Sequence, residues 1–184
     1  MNILITVVLI IVGVVALLLV IAFFTKKGYV IEREIVIQKP KDDVFNYVRL
    51  IKNQDFYSKW VMVDPGMKKE FKGQDGTTGF IYAWDSKDKG AGKGEQEIKK
   101  IVDKEKIEME IRFERPFRAI SQAAMTTSEL GASQTRVKWM FESAMKYPMN
   151  VMMLFVNFEK LLGRDMETSL STLKGILEKQ PSVR

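Results

Sequence analysis

Three kinds of hydrophobic pattern follow one another along this chain. From Ile3 to Phe24 the run is dominated by Ile, Val and Leu and carries no charge. At about 1.5 Å per residue, a helix over it is long enough for the roughly 30 Å of a bilayer core. From Tyr29 onward the period shortens to two. Ile31, Ile35 and Ile37 share one face of a first strand, and Ile107, Met109, Ile111 and Phe113 alternate with Glu108, Glu110, Arg112 and Glu114, as in a strand buried on one face. Val137, Trp139 and Phe141 repeat that pattern against Arg136, Lys138 and Glu142. From Pro148 to about Lys179 the steps become three and four. Val151, Phe155, Phe158, Leu162, Met166, Leu170, Leu173 and Leu177 form one stripe, which predicts a long helix with Pro148 in its first turn.

Between these landmarks, Lys39-Pro40-Lys41-Asp42-Asp43 opens a short helix over Val44, Tyr47 and Val48, and Asn53 to Trp60 reads as a second short helix or turn. Asp64-Pro65-Gly66 turns the chain. Further strands are expected over Lys68–Lys72, Gly79–Trp84, Glu95–Val102 and Ala119–Ser128. A long helical stripe needs a broad apolar partner, and the inner face of the sheet is the partner available. The expected fold class is therefore α+β: a curved antiparallel sheet of about seven strands around a long C-terminal helix, preceded by one transmembrane helix. Residues 1–27 would form the anchor with its juxtamembrane lysines, 28–180 the domain, and 181–184 a short tail.

Composition narrows the chemistry. Cysteine is absent, which excludes disulfides, thiolate metal sites and cysteine catalysis. Histidine is absent too, removing the commonest general base and metal ligand. No cofactor or metal is expected. Lys plus Arg number 29 against 23 Asp plus Glu, a net charge of +6. The excess is scattered, without an arginine-rich run, so no nucleic-acid partner is expected. A cleaved signal peptide would show a basic segment, a shorter apolar core and small residues at a cleavage site. Here Asn2 precedes the run and Phe23-Phe24-Thr25-Lys26-Lys27 follows it, which reads as an uncleaved single-pass anchor. Lys26, Lys27 and Arg33 lie after the span and no basic side chain before it, so the domain is expected in the cytoplasm. Lys68, Lys69 and Lys72 would add attraction to an anionic leaflet if they face it.

Several motifs invite chemical readings. Gly90-Ala91-Gly92-Lys93-Gly94 resembles a phosphate loop in composition, but the segment behind it reads as strand, so a hairpin loop is expected. Glu95 with Glu97, and Glu108 with Glu110, place paired carboxylates on strand faces. Such pairs can serve acid–base work or hold a divalent ion; Glu95 and Glu97 are the candidates, as possible polar groups of a cavity. The aromatics of the inward faces read either as core or as a cavity wall, and the many methionines suit an adaptable apolar pocket.

Tyr29 to Val44, with Glu32-Arg33-Glu34-Ile35-Val36-Ile37, resembles the opening of the START-like, or SRPBCC, superfamily, most closely its polyketide cyclase/dehydrase-like branch. The likeness continues through Trp60, Gly79–Trp84 and Thr135-Arg136-Val137-Lys138-Trp139 to Gly163-Arg164-Asp165-Met166-Glu167. It implies a seven-stranded sheet gripping the C-terminal helix around a hydrophobic cavity. Members bind lipids, sterols, hormones and polyketides, and only some are enzymes. No catalytic residue of the cyclase-type members can be matched here. The expected function is a membrane-anchored module binding an apolar or amphipathic molecule. The alternatives are an enzyme acting through Tyr82, Glu95 or Glu97, and an interaction or stress-response domain with a vestigial cavity. The strand side of the cavity should present Tyr82, Trp84, Met109, Ile111, Val137, Trp139 and Phe141. The helix side should present Met152, Phe155, Phe158 and Leu162.

Overall fold

The apolar run forms a helix, α1 (Ile3–Phe24), in which only Ala22 is buried. It is long and apolar enough to cross a membrane. The computed structural model describes residues 2–181; of the expected tail, residues 182–184 lie outside the described residues. The period-two segments become seven strands: β1 (Gly28–Ile37), β2 (Lys68–Lys72), β3 (Ile81–Asp85), β4 (Lys93–Val102), β5 (Lys106–Arg115), β6 (Ala119–Gly131) and β7 (Gln134–Ala144). They pair antiparallel in the order β1-β7-β6-β5-β4-β3-β2. Strands β2 to β7 form a meander. Between β1 and β2 the chain runs through α2 (Lys41–Val48), α3 (Gln54–Tyr57) and α4 (Lys59–Met62), so β1 ends beside β7 and β2 at the opposite edge.

The closing helix, α5 (Phe158–Lys179), begins later than the stripe predicted. Pro148 instead leads into a 3₁₀ turn at Met149–Leu154. The helix starts where Asn157 accepts a hydrogen bond from the Lys160 amide at 2.9 Å, satisfying one of the donors that a helix leaves open at its first turn. Val151 and Phe155 continue the spacing of the stripe without belonging to the helix. Within α5, Met166, Leu170, Leu173 and Leu177 are buried against the sheet, so the α+β helix-grip architecture is the one observed.

One inward position of β1 is charged. Arg33 shares the inner face with Ile31 and Ile35, and its guanidinium crosses onto α5. There it bonds Glu159 at 2.6 Å and Glu167 at 2.5 Å. These two acids and Gly163 lie four residues apart on one helix face. A Cβ at Gly163 would overlap the Arg33 guanidinium, which accounts for a glycine in mid-helix. Asp165 pairs with Lys59, and Ser169 Oγ accepts from the Lys59 amide at 2.9 Å, fastening α4 to α5.

Strand register gives the sheet two distinct ends. At the end nearest α1, Gly28 pairs with Ala144, Phe113 with Ala119, Lys93 with both Asp85 and Arg115, and Lys68 with Asp85. At the far end Ile37 pairs with Thr135, Val102 with Lys106 and Lys72 with Ile81. Helix α5 runs from near to far: Phe158 stacks on Tyr29 with ring centroids 5.3 Å apart, and Glu178 accepts from the Gln38 amide at 2.7 Å.

Candidate ligand-binding site

Tight packing fills the far half of the interior, where Ile98, Ile107, Met125, Val137 and Leu173 are almost fully buried. The near half is hollow. A cavity of about 160 Å³ lies there between the inner face of the sheet, the short helices and the start of α5. Its floor is made by the buried Met109, Ala123 and Trp139, with Tyr82 and Gln96 at one side and Gln54 and Ser58 from the α3–α4 segment opposite. The half-exposed Trp84, Phe113, Phe141 and Leu162 lead outward, and Gly90 and Ala91 border the opening. These outer residues come from the strands, the β3–β4 loop and the start of α5 at the end of the sheet nearest α1.

Aromatic edges fix the wall. Trp139 takes the edge of Trp60 at 5.6 Å and of Tyr57 at 6.4 Å, and Trp84 meets Phe113 edge-on at 5.9 Å, the geometry their ring quadrupoles favour. Trp84 Nε1 donates to the Ala91 carbonyl at 2.9 Å, holding the β3–β4 loop over the cavity. Gly92 permits that loop to close: its φ is +62°, and a Cβ there would collide with the Arg115 carbonyl. Strand β4 follows directly, so the glycine-rich stretch has no helix behind it and builds a cavity rim.

Polar groups are few and specific. Tyr82 donates to Asp55 at 2.7 Å, and Asp55 also pairs with Lys69 at 2.9 Å. Burial, reinforced by the bond to Asp55, pushes the Tyr82 phenol far above its ordinary value, so it stays protonated. Gln96 Nε2 donates to Gln54 Oε1 at 2.9 Å. The other end of the Gln54 carboxamide, Nε2, is buried without a hydrogen-bond partner. Such an atom costs free energy unless something accepts from it.

Of the lining expected from sequence, Tyr82, Trp84, Met109, Ile111, Trp139, Phe141 and Leu162 meet at this cavity. Val137 does not; it is fully buried in the tight half. Met152, Phe155 and Phe158 also lie outside the lining, because the helix expected to carry all three starts only at Phe158. Met152 belongs to the 3₁₀ turn, Phe155 is 76% exposed, and Phe158 covers Tyr29. Glu95 and Glu97 are on the opposite face of the sheet. Arg112 bonds Glu95 at 2.7 Å, Glu97 at 2.9 Å and Glu110 at 2.5 Å. Those bonds, that to Glu95 foremost, raise the guanidinium pKa further, and Lys99 with Arg112 lowers that of Glu97. The inward residue of that strand is Gln96. Parity with the apolar Ile98 is a signal that points to it; Gln54 and Ser58, on short irregular helices, give no comparable signal.

No protein-family model matches the sequence, and no curated protein sequence does. Solved structures do match in shape. Norcoclaurine synthase from Thalictrum flavum, in complex with dopamine and hydroxybenzaldehyde, superposes with a TM-score of 0.60 at 15% identity, over 88% of this chain and 94% of that one. Protein CV1439 from Chromobacterium violaceum gives 0.58 at 14%, over 82% and 98%. Ara h 8.0201 gives 0.56 at 12%, over 83% and 99%. The chain thus shares the helix-grip fold of these structures.

Proposed function

We propose that this protein is a membrane-anchored module that holds a small apolar or amphipathic molecule in the cavity between sheet and α5. The observation that carries the reading is an apolar hollow lined in part by Gln54, whose Nε2 is buried without a hydrogen-bond partner. A merely relict cavity would gain stability by pairing or losing that donor. The volume sets the ligand class. It is below the roughly 300 Å³ at which drug-sized pockets begin, and close to the about 150 Å³ of an engineered cavity that takes up benzene. One ring or a short chain fits, with an oxygen acceptor for Gln54, and any larger remainder stays at the mouth. Norcoclaurine synthase, a structure of the same fold, is in complex with dopamine and hydroxybenzaldehyde, which supports a single-ring ligand here.

We read helix α1 as an uncleaved anchor, and the exposed Lys26 and Lys27 that follow it support a cytoplasmic domain. From the polyketide cyclase/dehydrase-like branch the reading takes the cavity and no reaction. The test is to purify the full chain from membranes in mild detergent, extract it with organic solvent and analyse the extract by mass spectrometry. A single class of small, oxygen-bearing lipophile should recur. Gln54→Leu should retain about fivefold less, as for one lost hydrogen bond of about 1 kcal/mol. Extracts identical for the two proteins would overturn the reading.

A further inference from the structure

The two ends of the sheet differ in chemical character. At the far end the connections are polar: Gly73-Gln74-Asp75-Gly76, Asp103-Lys104-Glu105 and Ala132-Ser133, with Leu50, Phe71 and Leu130 the exposed large apolar side chains nearby. At the end nearest α1 they are not. Met62, Val63, Phe117, Tyr147, Leu154 and Phe155 are all exposed there, on three separate connections. The exposed Lys26, Lys27, Lys87, Lys89, Arg118 and Lys146 stand among them. Of the three β2 lysines considered above, Lys68 belongs to this end, Lys72 to the other, and Lys69 is bound to Asp55.

The 3₁₀ turn Met149–Leu154 is bolted to the end of α1. Asn150 is fully buried, and its Nδ2 donates to the Ala22 carbonyl at 2.6 Å and the Thr25 carbonyl at 3.0 Å. The Ala22 oxygen lies in the last turn of the helix and Thr25 is the residue that caps it, the place where carbonyls lack the i+4 amides of a continuing helix. The turn therefore sits at the level where α1 leaves the apolar layer it spans, and it cannot swing away while these bonds hold. Exposed Leu and Phe beside lysines is the composition of a segment lying in a bilayer interface.

We propose that this end of the domain docks on the bilayer surface, with Leu154 and Phe155 inserted at the headgroup boundary, so that the cavity mouth opens against lipid. The occupant is the cytoplasmic leaflet itself. The proposal rests on the anchored-module reading and adds the route by which ligand enters: from the leaflet, past Trp84, Phe113 and Leu162, without crossing water.

The absence of native cysteine allows a clean test. The full chain is labelled with an environment-sensitive fluorophore at Phe155→Cys or, as the far-end reference, at Ser133→Cys, both exposed positions. Each protein is reconstituted into phosphatidylcholine–phosphatidylglycerol vesicles carrying a nitroxide lipid. Docking predicts blue-shifted emission at position 155 and severalfold stronger nitroxide quenching than at position 133. Equal, water-like signals at both positions overturn it. Alkaline carbonate washing of the same vesicles tests the anchor separately. Protein retained with position 155 in water sinks docking and keeps the anchor; protein stripped after a docked signal does the reverse.

Discussion

Four of the five tyrosines have their hydroxyls pushed above the ordinary phenol range, in each case by burial first. Tyr57 is fully enclosed, its hydroxyl 3.6 Å from Met125 Sδ, and Tyr82 donates to Asp55. A folded-state pKa above the unfolded value of about 10 means the native state keeps protons that the unfolded chain would lose. The stability these groups contribute is complete below about pH 10 and drains away as the pH rises beyond it. Alkaline titration should show tyrosinate absorbance growing together with loss of the circular-dichroism signal. Absorbance from most tyrosines before any unfolding would contradict this burial. Which tyrosine faces what was partly legible: Tyr82 follows from alternation with Phe80 and Trp84. Tyr57 carried no periodic signal, since α3 is a single turn and its burial comes from distant β6 and β7.

Helix α5 shows where a pattern is sufficient and where it is not. The i, i+3, i+4 spacing located its buried face correctly from Met166 to Leu177. The same spacing ran past the true start, because periodicity reports which side of a helix would be apolar, not whether the backbone is helical. The stop lay in Asn157, a capping residue within an apolar stretch, and overlooking it moved Met152, Phe155 and Phe158 into a cavity they do not border. The Gly163–Arg33 contact was equally invisible, since it joins residues remote in sequence. It makes a sharp prediction. Gly163→Ala gains helix propensity worth about 1 kcal/mol, yet should lower the melting temperature, because Arg33 must leave Glu159 and Glu167. In an Arg33→Ala background the same change should be neutral or stabilising. Thermal unfolding of the four proteins in this cycle reads the coupling; additive effects would mean that the guanidinium does not depend on the missing Cβ.

For the whole molecule, the antiparallel meander and the inner faces of β1, β5 and β7 were legible because those strands keep one period; β4 and β6 break it with register shifts, and the cavity's polar side was not legible, because Gln54 sits on short helices whose placement is tertiary. The globular part shares few interactions with α1, chiefly the two Asn150 bonds. A chain beginning at Lys26 should therefore still unfold cooperatively, less stable by about 1–2 kcal/mol for the two lost hydrogen bonds to Ala22 and Thr25; Asn150→Ala in the full chain should show a similar decrement by denaturant titration. Loss of cooperative unfolding on removing α1 would show that the helix is part of the core. The connection itself has a further consequence. Only Thr25, Lys26 and Lys27 separate α1 from β1, a reach of about 10 Å even fully extended. With α1 in a bilayer, such a leash keeps every copy within its own leaflet. On the function proposed above, a molecule taken up there would be presented to neighbours in the same membrane and not ferried to another, the behaviour of a local reservoir and not of a carrier between compartments.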